Sequence, residues 1–494
     1  MKITRLAQGL LAGLLGCAAV AVPAAVGSAT AQADVASTLV FNKNTDNHDC
    51  YRIPTIVKAN NGDLLAFAEG RNEGASFCND LGKIDLVMKR STDGGKTWGA
   101  LNTVITAFGD VKGNPAPIVI PGSNRIVLLS TMQCFTSPDC GRVPRVSISE
   151  DNGKTWGAPK TLTAELGFSA APGWLATGPS HGIVLTRGAH AGRLVAGMSY
   201  SNVGALVYSD DKGSTWHLGA TDKPATSALN PQEISVTELN DGRVYAAARN
   251  QANDGNRCLA DGTNNRAFAI SSDGGATFSS KFAFATDLVT PVVEGSTARM
   301  SATDTGGKYN RIVFAAPSTC DRRKELRVHS SFDEGANWTG TAGSVLVWGQ
   351  DASYSDMVQL SQSSVGVVFE AGPEGHANDS IRYATVTEAA LGAPACGGGY
   401  SVIDSRPLGT AGSVYLSYNA SNGKNCVSTM KSASTGTGTA TSAYLEVKGS
   451  ARVTDSGSFS YFAGPVSAAA ADKCVKWGGS AGGQSFTSEF EHCS

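Results

Sequence analysis

One octapeptide recurs five times in this chain at an almost constant interval. The copies are Ser91-TDGGKTW, Ser149-EDNGKTW, Ser209-DDKGSTW, Ser271-SDGGATF and Ser331-FDEGANW, all fitting Ser-x-Asp-x-Gly-x-x-aromatic. Their starts lie 58, 60, 62 and 60 residues apart. A period that regular implies a repeat architecture, in which each unit buries its apolar faces against its neighbours. Within the box, Ser and Asp side chains are suited to bonding nearby backbone amides and capping a turn. Gly supplies positive φ, and the aromatic residue is predicted to fold back between strands. The acidic residues resemble a calcium loop but are too few and lack the terminal Glu of an EF-hand, so the box is read as structural.

Around the boxes lie short strand-like runs such as Leu64-LAFAEG, Val143-PRVSIS and Ala205-LVYS, and helical periodicity is almost absent from 34 to 390. Glycine, at 58 of 494 residues, suits a chain full of tight turns. One repeat of about 60 residues reads as a four-stranded antiparallel sheet, and the stretch 34–393 holds six of them, five with the box and one without. The predicted class is all-β, a six-bladed β-propeller whose closure removes free sheet edges. Near Gly392-APAC the boxes stop and a Gly/Ser/Thr/Ala-rich segment with four cysteines begins. Residues 394–494 are therefore expected to form a small β-rich accessory domain stapled by two disulfides.

Residues 1–33 read as an export signal, with Lys2 and Arg5, an apolar stretch from Leu10 to Val26, and the small-x-small site Ala31-Gln-Ala33. A membrane-anchoring helix is the rival reading, opposed by Pro23, Gly27 and the cleavage site. Leu14-LG-Cys17 is a weak lipoprotein signal. No later segment is apolar for long enough to span a membrane. Secretion is thus expected. Without Cys17, ten cysteines remain, an even number that favours disulfides over zinc, with one small loop expected between Cys134 and Cys140. The formal net charge of −2 argues against nucleic-acid binding through a basic surface.

In a propeller the inner strands converge, so charged groups about one repeat apart become candidates for a common site. Arg52 stands in Tyr51-RIPTI, Arg249 ends Glu238-LNDGRVYAAAR, and Arg323 lies in Arg323-KEL, eight residues before the fifth box. The Arg-Ile-Pro motif followed by these boxes resembles the sialidase (neuraminidase) family of bacterial exo-glycosidases over roughly residues 40–390. The resemblance implies a six-bladed propeller acting on terminal sialic acids of glycans or glycoproteins, with Arg52, Arg249 and Arg323 gripping the sugar carboxylate. Guanidinium suits that task through its planar, permanently charged fork. The adjacent Arg322 is an alternative to Arg323.

By the same resemblance Asp80, between Ala68-EGR and Ile84-Asp85, is the acid/base, with Asp85 and Glu73 as weaker candidates because this loop is three residues longer than in some relatives. Arg71 would contact the sugar's C4 region. Tyr354, in Ser353-YSDM, and Glu233, five residues before Glu238, would form the nucleophile and base pair. Glu370, in Val365-GVVFEAG, would orient Arg52. No metal or other cofactor is implied. The implied activity is retaining exo-α-sialidase. Sialyl transfer, preference for a deaminated sialic acid, and a non-catalytic sialoglycan-binding propeller are the alternatives. Oligomeric state is not legible. Residues Ala395-CGGGYSVIDS through Cys474-VKWGGSAGG resemble the small spore-associated proteins of actinobacteria. There Tyr415, Tyr418, Tyr461 and Trp477 read more readily as core than as a sugar-stacking face.

Overall fold

Up to residue 393 the strands run in antiparallel meanders, the first five each built from consecutive segments of the chain. The computed structural model describes residues 35–72, 78–80, 82–108, 110–133, 141–253, 265–320 and 322–493. The signal segment, Cys134, Cys140, Cys258 and Glu73 lie outside the described residues. The first meander comprises Cys50–Lys58, Leu64–Asn72, Lys83–Ser91 and Asn102–Ile105. The second begins with Val111–Val119, the third with Leu175–Thr177, the fourth with Pro231–Glu238 and the fifth with Ser296–Ser301. The long strand Val345–Ser361 ends the fifth and opens the sixth. The sixth is completed from the other end of the chain, because Ser37–Asn42 pairs with Ser380–Thr387. Ladder hydrogen bonding counts four sheets here, because Ile84 bridges to Val111 and the last two meanders share a strand.

The opening strands pack on one another in order, and Val345–Ser361 packs back on Cys50–Lys58. Between successive meanders lie six hydrophobic cores, the last joining the sixth to the first. The strand Leu64–Asn72 illustrates why its first five residues are all apolar. Leu65 and Phe67 face the second meander, with Ile126 and Leu128. Leu64, Ala66 and Ala68 face the sixth, with Val368 and Ile381. A strand buried on both faces loses the polar/apolar alternation of a half-exposed one. Each buried Leu or Phe contributes about 1.5–3 kcal/mol.

Every box starts on the last residue of a third strand and turns into the fourth, in meanders one to five. In the first, Ser91 Oγ accepts from Gly95 N–H at 2.8 Å, and Asp93 Oδ1 accepts from Lys96 and Thr97 N–H, both at 3.0 Å. Gly95 has φ 89°. The box aromatics pack between meanders rather than only over their own hairpin. Trp98 meets Tyr383, Trp156 meets Phe67, and Trp338 meets Tyr245 and Phe314.

Residues beyond 393 form two further four-stranded sheets with a core that includes Leu416, Val427, Leu445 and fully buried Trp477. Disulfides Cys396–Cys426 and Cys474–Cys493 staple them. Tyr415 is also buried, against Tyr309, Phe332 and Met430. This aromatic cluster joins the C-terminal sheets to the fifth meander, and residues 34–494 form one compact unit. No helix among the described residues is long and apolar enough to cross a membrane.

Candidate active site

The ladders are interrupted where the inner strands carry their charged groups. Register shifts fall between Arg52 and Thr55, Gly113 and Ala116, Gln232 and Ile234, and Ala352 and Ser355. Ile53, Asn114 and Glu233 have φ of 55°, 53° and 47°. Another shift, with Glu325 at φ 56°, adjoins Arg323. A bulge swings a side chain out of the pleat's alternation, and a non-glycine residue at positive φ costs about 1–2 kcal/mol. Neighbouring strands over-determine these conformations, a pattern concentrated at functional sites.

The bulges surround a polar cavity of about 230 Å³ whose lining includes Arg71, Asp80, Arg142, Glu233, Arg249 and Tyr354. Tyr354 is its hub. Its hydroxyl donates to Glu233 Oε1 in a short hydrogen bond. Arg249 Nη1 donates to the same hydroxyl at 3.0 Å and to Glu233 Oε2 at 2.8 Å. The guanidinium carbons of Arg52 and Arg323 lie 5.4 and 5.8 Å from the Tyr354 ring centroid. Three guanidinium groups from three meanders thus converge on one phenol. Beneath them Glu370 is fully buried. Its Oε1 accepts from Arg52 Nε at 2.7 Å and Ile53 N–H at 2.8 Å, and its Oε2 from Tyr354 N–H at 3.3 Å. One carboxylate therefore ties the Arg52 bulge to the Tyr354 bulge.

Arg323 Nη1 donates to Ser353 Oγ at 3.2 Å and Nη2 to Val292 O at 3.0 Å. Arg322 points elsewhere, with Nη1 on Glu374 at 2.6 Å. Asp80 accepts from Arg71 Nη1 at 2.8 Å, and its side chain is 76% exposed. Asp85 is outside the cavity. It accepts from Ala107 N–H at 2.6 Å and pairs with His48 Nε2 at 3.0 Å, a structural arrangement.

Electrostatics follow from burial and charge. Burial pushes the Tyr354 hydroxyl well above the usual phenol range, and the Glu233 carboxylate adds to this, outweighing the three arginines. For Arg52 burial opposes the charge, but Glu370 outweighs it and holds the guanidinium firmly protonated. Arg323 is lowered by burial and by its fellow cations Arg249 and Arg52, partly offset by Tyr354. Burial would raise Asp80, but Arg71 and Arg52 outweigh it and leave it lowered. The site is thus built to receive an anionic group, with a neutral phenol beside it.

Sequence reasoning missed several groups. Glu69 is buried. Its Oε2 accepts from Arg71 Nε and its Oε1 from Asn114 N–H, both at 3.0 Å, linking the first two meanders. A lone acid inside the apolar run Leu64-LAFAEG was a readable signal. Arg142, with its guanidinium carbon 5.6 Å from the Trp174 ring centroid, lines the cavity beside Arg71 and Arg249. No motif marked it, since only chain folding brings the second and third meanders together at this wall.

Residues 62–367 match the BNR repeat-like domain, and the chain belongs to that family. Among characterised relatives it is similar to a sialidase of Micromonospora viridifaciens, at 30% identity over 366 residues, covering 69% of this chain and 52% of the relative. The chain thus spans about half that relative's length. The C-terminal part is similar to spore-associated protein A of Streptomyces coelicolor, at 45% identity over 85 residues, covering 17% of this chain and 54% of that protein. Among solved structures, the Hadza microbial sialidase Hz136 shares the fold with a TM-score of 0.59 at 22% identity, covering 71% of this chain and 68% of the other.

Proposed function

We propose that this chain is a secreted exo-α-sialidase, a six-bladed β-propeller over 34–393 with an accessory β-domain at 394–494. It would remove terminal sialic acids from glycans or glycoproteins with retention of anomeric configuration. The observation that carries the reading is the Tyr354–Glu233 hydrogen bond set among Arg52, Arg249 and Arg323.

In this reading the three guanidinium groups hold the substrate carboxylate, which sits on the reacting carbon. Most retaining glycosidases use a carboxylate nucleophile, and sialidases with a Tyr nucleophile are an exception. The charge argument explains why. A second anion about 4 Å from the bound carboxylate would cost about 4 kcal/mol at an effective dielectric near 20. A phenol approaches without that repulsion, but its raised pKa requires a base at its proton. Glu233 Oε1 stands there. As the Tyr354 oxygen bonds to the anomeric carbon, its proton passes to Glu233 and the leaving oxygen takes a proton from Asp80. Water, deprotonated by Asp80, then displaces Tyr354, which recovers its proton from Glu233. Glu370 keeps Arg52 aimed, and Arg71 faces the far end of the sugar. Asp80 must carry its proton on productive encounter. A bound substrate carboxylate partly cancels the arginine field that lowers it.

Proton NMR of the first sialic acid released from sialyllactose tests this reading. The α-anomer is expected at early time. Initial release of the β-anomer would overturn retention, and a sialylated acceptor as the main product would favour transfer. No release from any sialoside would leave a binding propeller.

A further inference from the structure

We propose that the Cys50–Cys78 disulfide is a positioning device for Asp80, deciding how efficiently the site acts on leaving groups that must be protonated. The inference rests on reading Asp80 as the acid. Cys50 opens the inner strand Cys50–Lys58 two residues before Arg52, and Cys78 stands two residues before Asp80. The bridge therefore ties the segment bearing the acid to the strand bearing a carboxylate-gripping arginine.

The ladder makes this tie specific. Cys50 is the register partner of Arg71 across the first two strands. Bridging Cys78 to Cys50 sets it beside Arg71, whose Nη1 donates to Cys78 O at 2.6 Å and Asp80 Oδ1 at 2.8 Å. Arg71 is itself held by buried Glu69. The chain from rigid sheet to acid is thus Cys50, Cys78 and Asp80, with one guanidinium clamping the last two. Packing contributes little, since Cys78 is only half-buried and Asn79 and Asp80 are exposed. With the Asp80 side chain 76% exposed, its bond to buried Arg71 is open to solvent screening and does not by itself impose one geometry, and misplacement by about 1 Å is enough to slow a reaction markedly. The covalent bridge removes most of the alternatives open to the segment.

Loss of acid catalysis matters most when the leaving group is a poor one. A sugar hydroxyl needs its proton, whereas an acidic phenol departs nearly unaided. The full chain with Cys50→Ser and Cys78→Ser together, which leaves no odd thiol, is compared with wild type on sialyllactose and on an aryl sialoside with an acidic phenol. The kcat/KM for sialyllactose is expected to fall about tenfold or more and that for the aryl sialoside less than about threefold, because kcat/KM reports departure of the leaving group and not the later base role of Asp80 that both substrates share. Equal losses on both, or none, would overturn the proposal.

Asp80→Asn, run alongside, must show the same split. If it does not, the reading of Asp80 as the acid fails. If it does and the double variant does not, only the tether fails. Should the double variant not fold, the split is read on wild type treated with dithiothreitol. That reagent is oxidised to its cyclic disulfide as the bridge takes up two electrons and two protons. Cys50 and Cys78 both line a cavity of about 570 Å³. A reversible split supports the tether, and an unchanged substrate ratio removes it. Alkylation and peptide mapping of the treated wild type must show Cys50 and Cys78 reduced in step with the split; a split that instead follows reduction of Cys320, Cys396–Cys426 or Cys474–Cys493 overturns the tether.

Discussion

Arg322 and Arg323 are neighbours in sequence with opposite surroundings. Arg323 faces the Tyr354 ring, whereas Arg322 pairs with exposed Glu374. Arg323→Ala is therefore expected to lower kcat/KM by about two decades or more, since each charged hydrogen bond is worth about 1.5–3 kcal/mol. Arg322→Ala is expected to change it less than about threefold, because exposed ion pairs contribute about 0–1 kcal/mol. Steady-state kinetics on one soluble sialoside checks both. Comparable losses would show that general surface charge, not a fitted carboxylate grip, is at work. At this scale residue identities were legible where a motif carried them, as for Tyr354 and Glu370. Glu69 stood out only as a lone acid in an apolar run, and Arg142 not at all, because what each does depends on what faces it across a meander boundary.

At the scale of the element, the box is a turn whose glycines are not equivalent. Gly94 and Gly95 both have positive φ, 76° and 89°. A Cβ on Gly94 meets nothing within 4 Å, whereas one on Gly95 would come within 2.0 Å of the Tyr383 ring. Gly94→Ala should cost about 1–2 kcal/mol of backbone strain. Gly95→Ala should cost that plus about 1–3 kcal/mol of overpacking. Thermal unfolding of the two variants is expected to rank them in that order. The strand Lys324–Ser331 offers a second test. Burial pushes His329 down to about 4, opposed by its bond to Thr339 O, so the folded ring is neutral. Below pH 6.5 the unfolded chain takes up a proton the folded chain refuses, so stability falls as pH drops toward 4. The loss approaches roughly 3 kcal/mol. Urea unfolding of wild type and His329→Gln at pH 7 and 4.5 should give a flatter pH dependence for the variant.

For the whole molecule, the C-terminal sheets meet the fifth meander through Tyr309, Phe332, Tyr415 and Met430, with buried Arg311 against the first two rings. A chain ending at residue 393 exposes that cluster. Its melting temperature is expected to fall, while turnover of a soluble sialoside stays within about threefold, because every cavity-lining residue precedes 393. Calorimetry and a fluorogenic assay check the two halves separately. The sequence by itself determined what depends on near neighbours: the 60-residue period, the strands, the turn chemistry of each box and the change of character near 393. Those patterns act over a few residues and are written in them. Tertiary structure alone decided that Ser37–Asn42 completes the last meander, that Cys50 pairs with Cys78, and that Glu69 bonds Asn114 N–H across a meander boundary. The reason is physical. Each of these depends on which faces meet once the apolar cores between meanders have closed, and no local spacing carries that information.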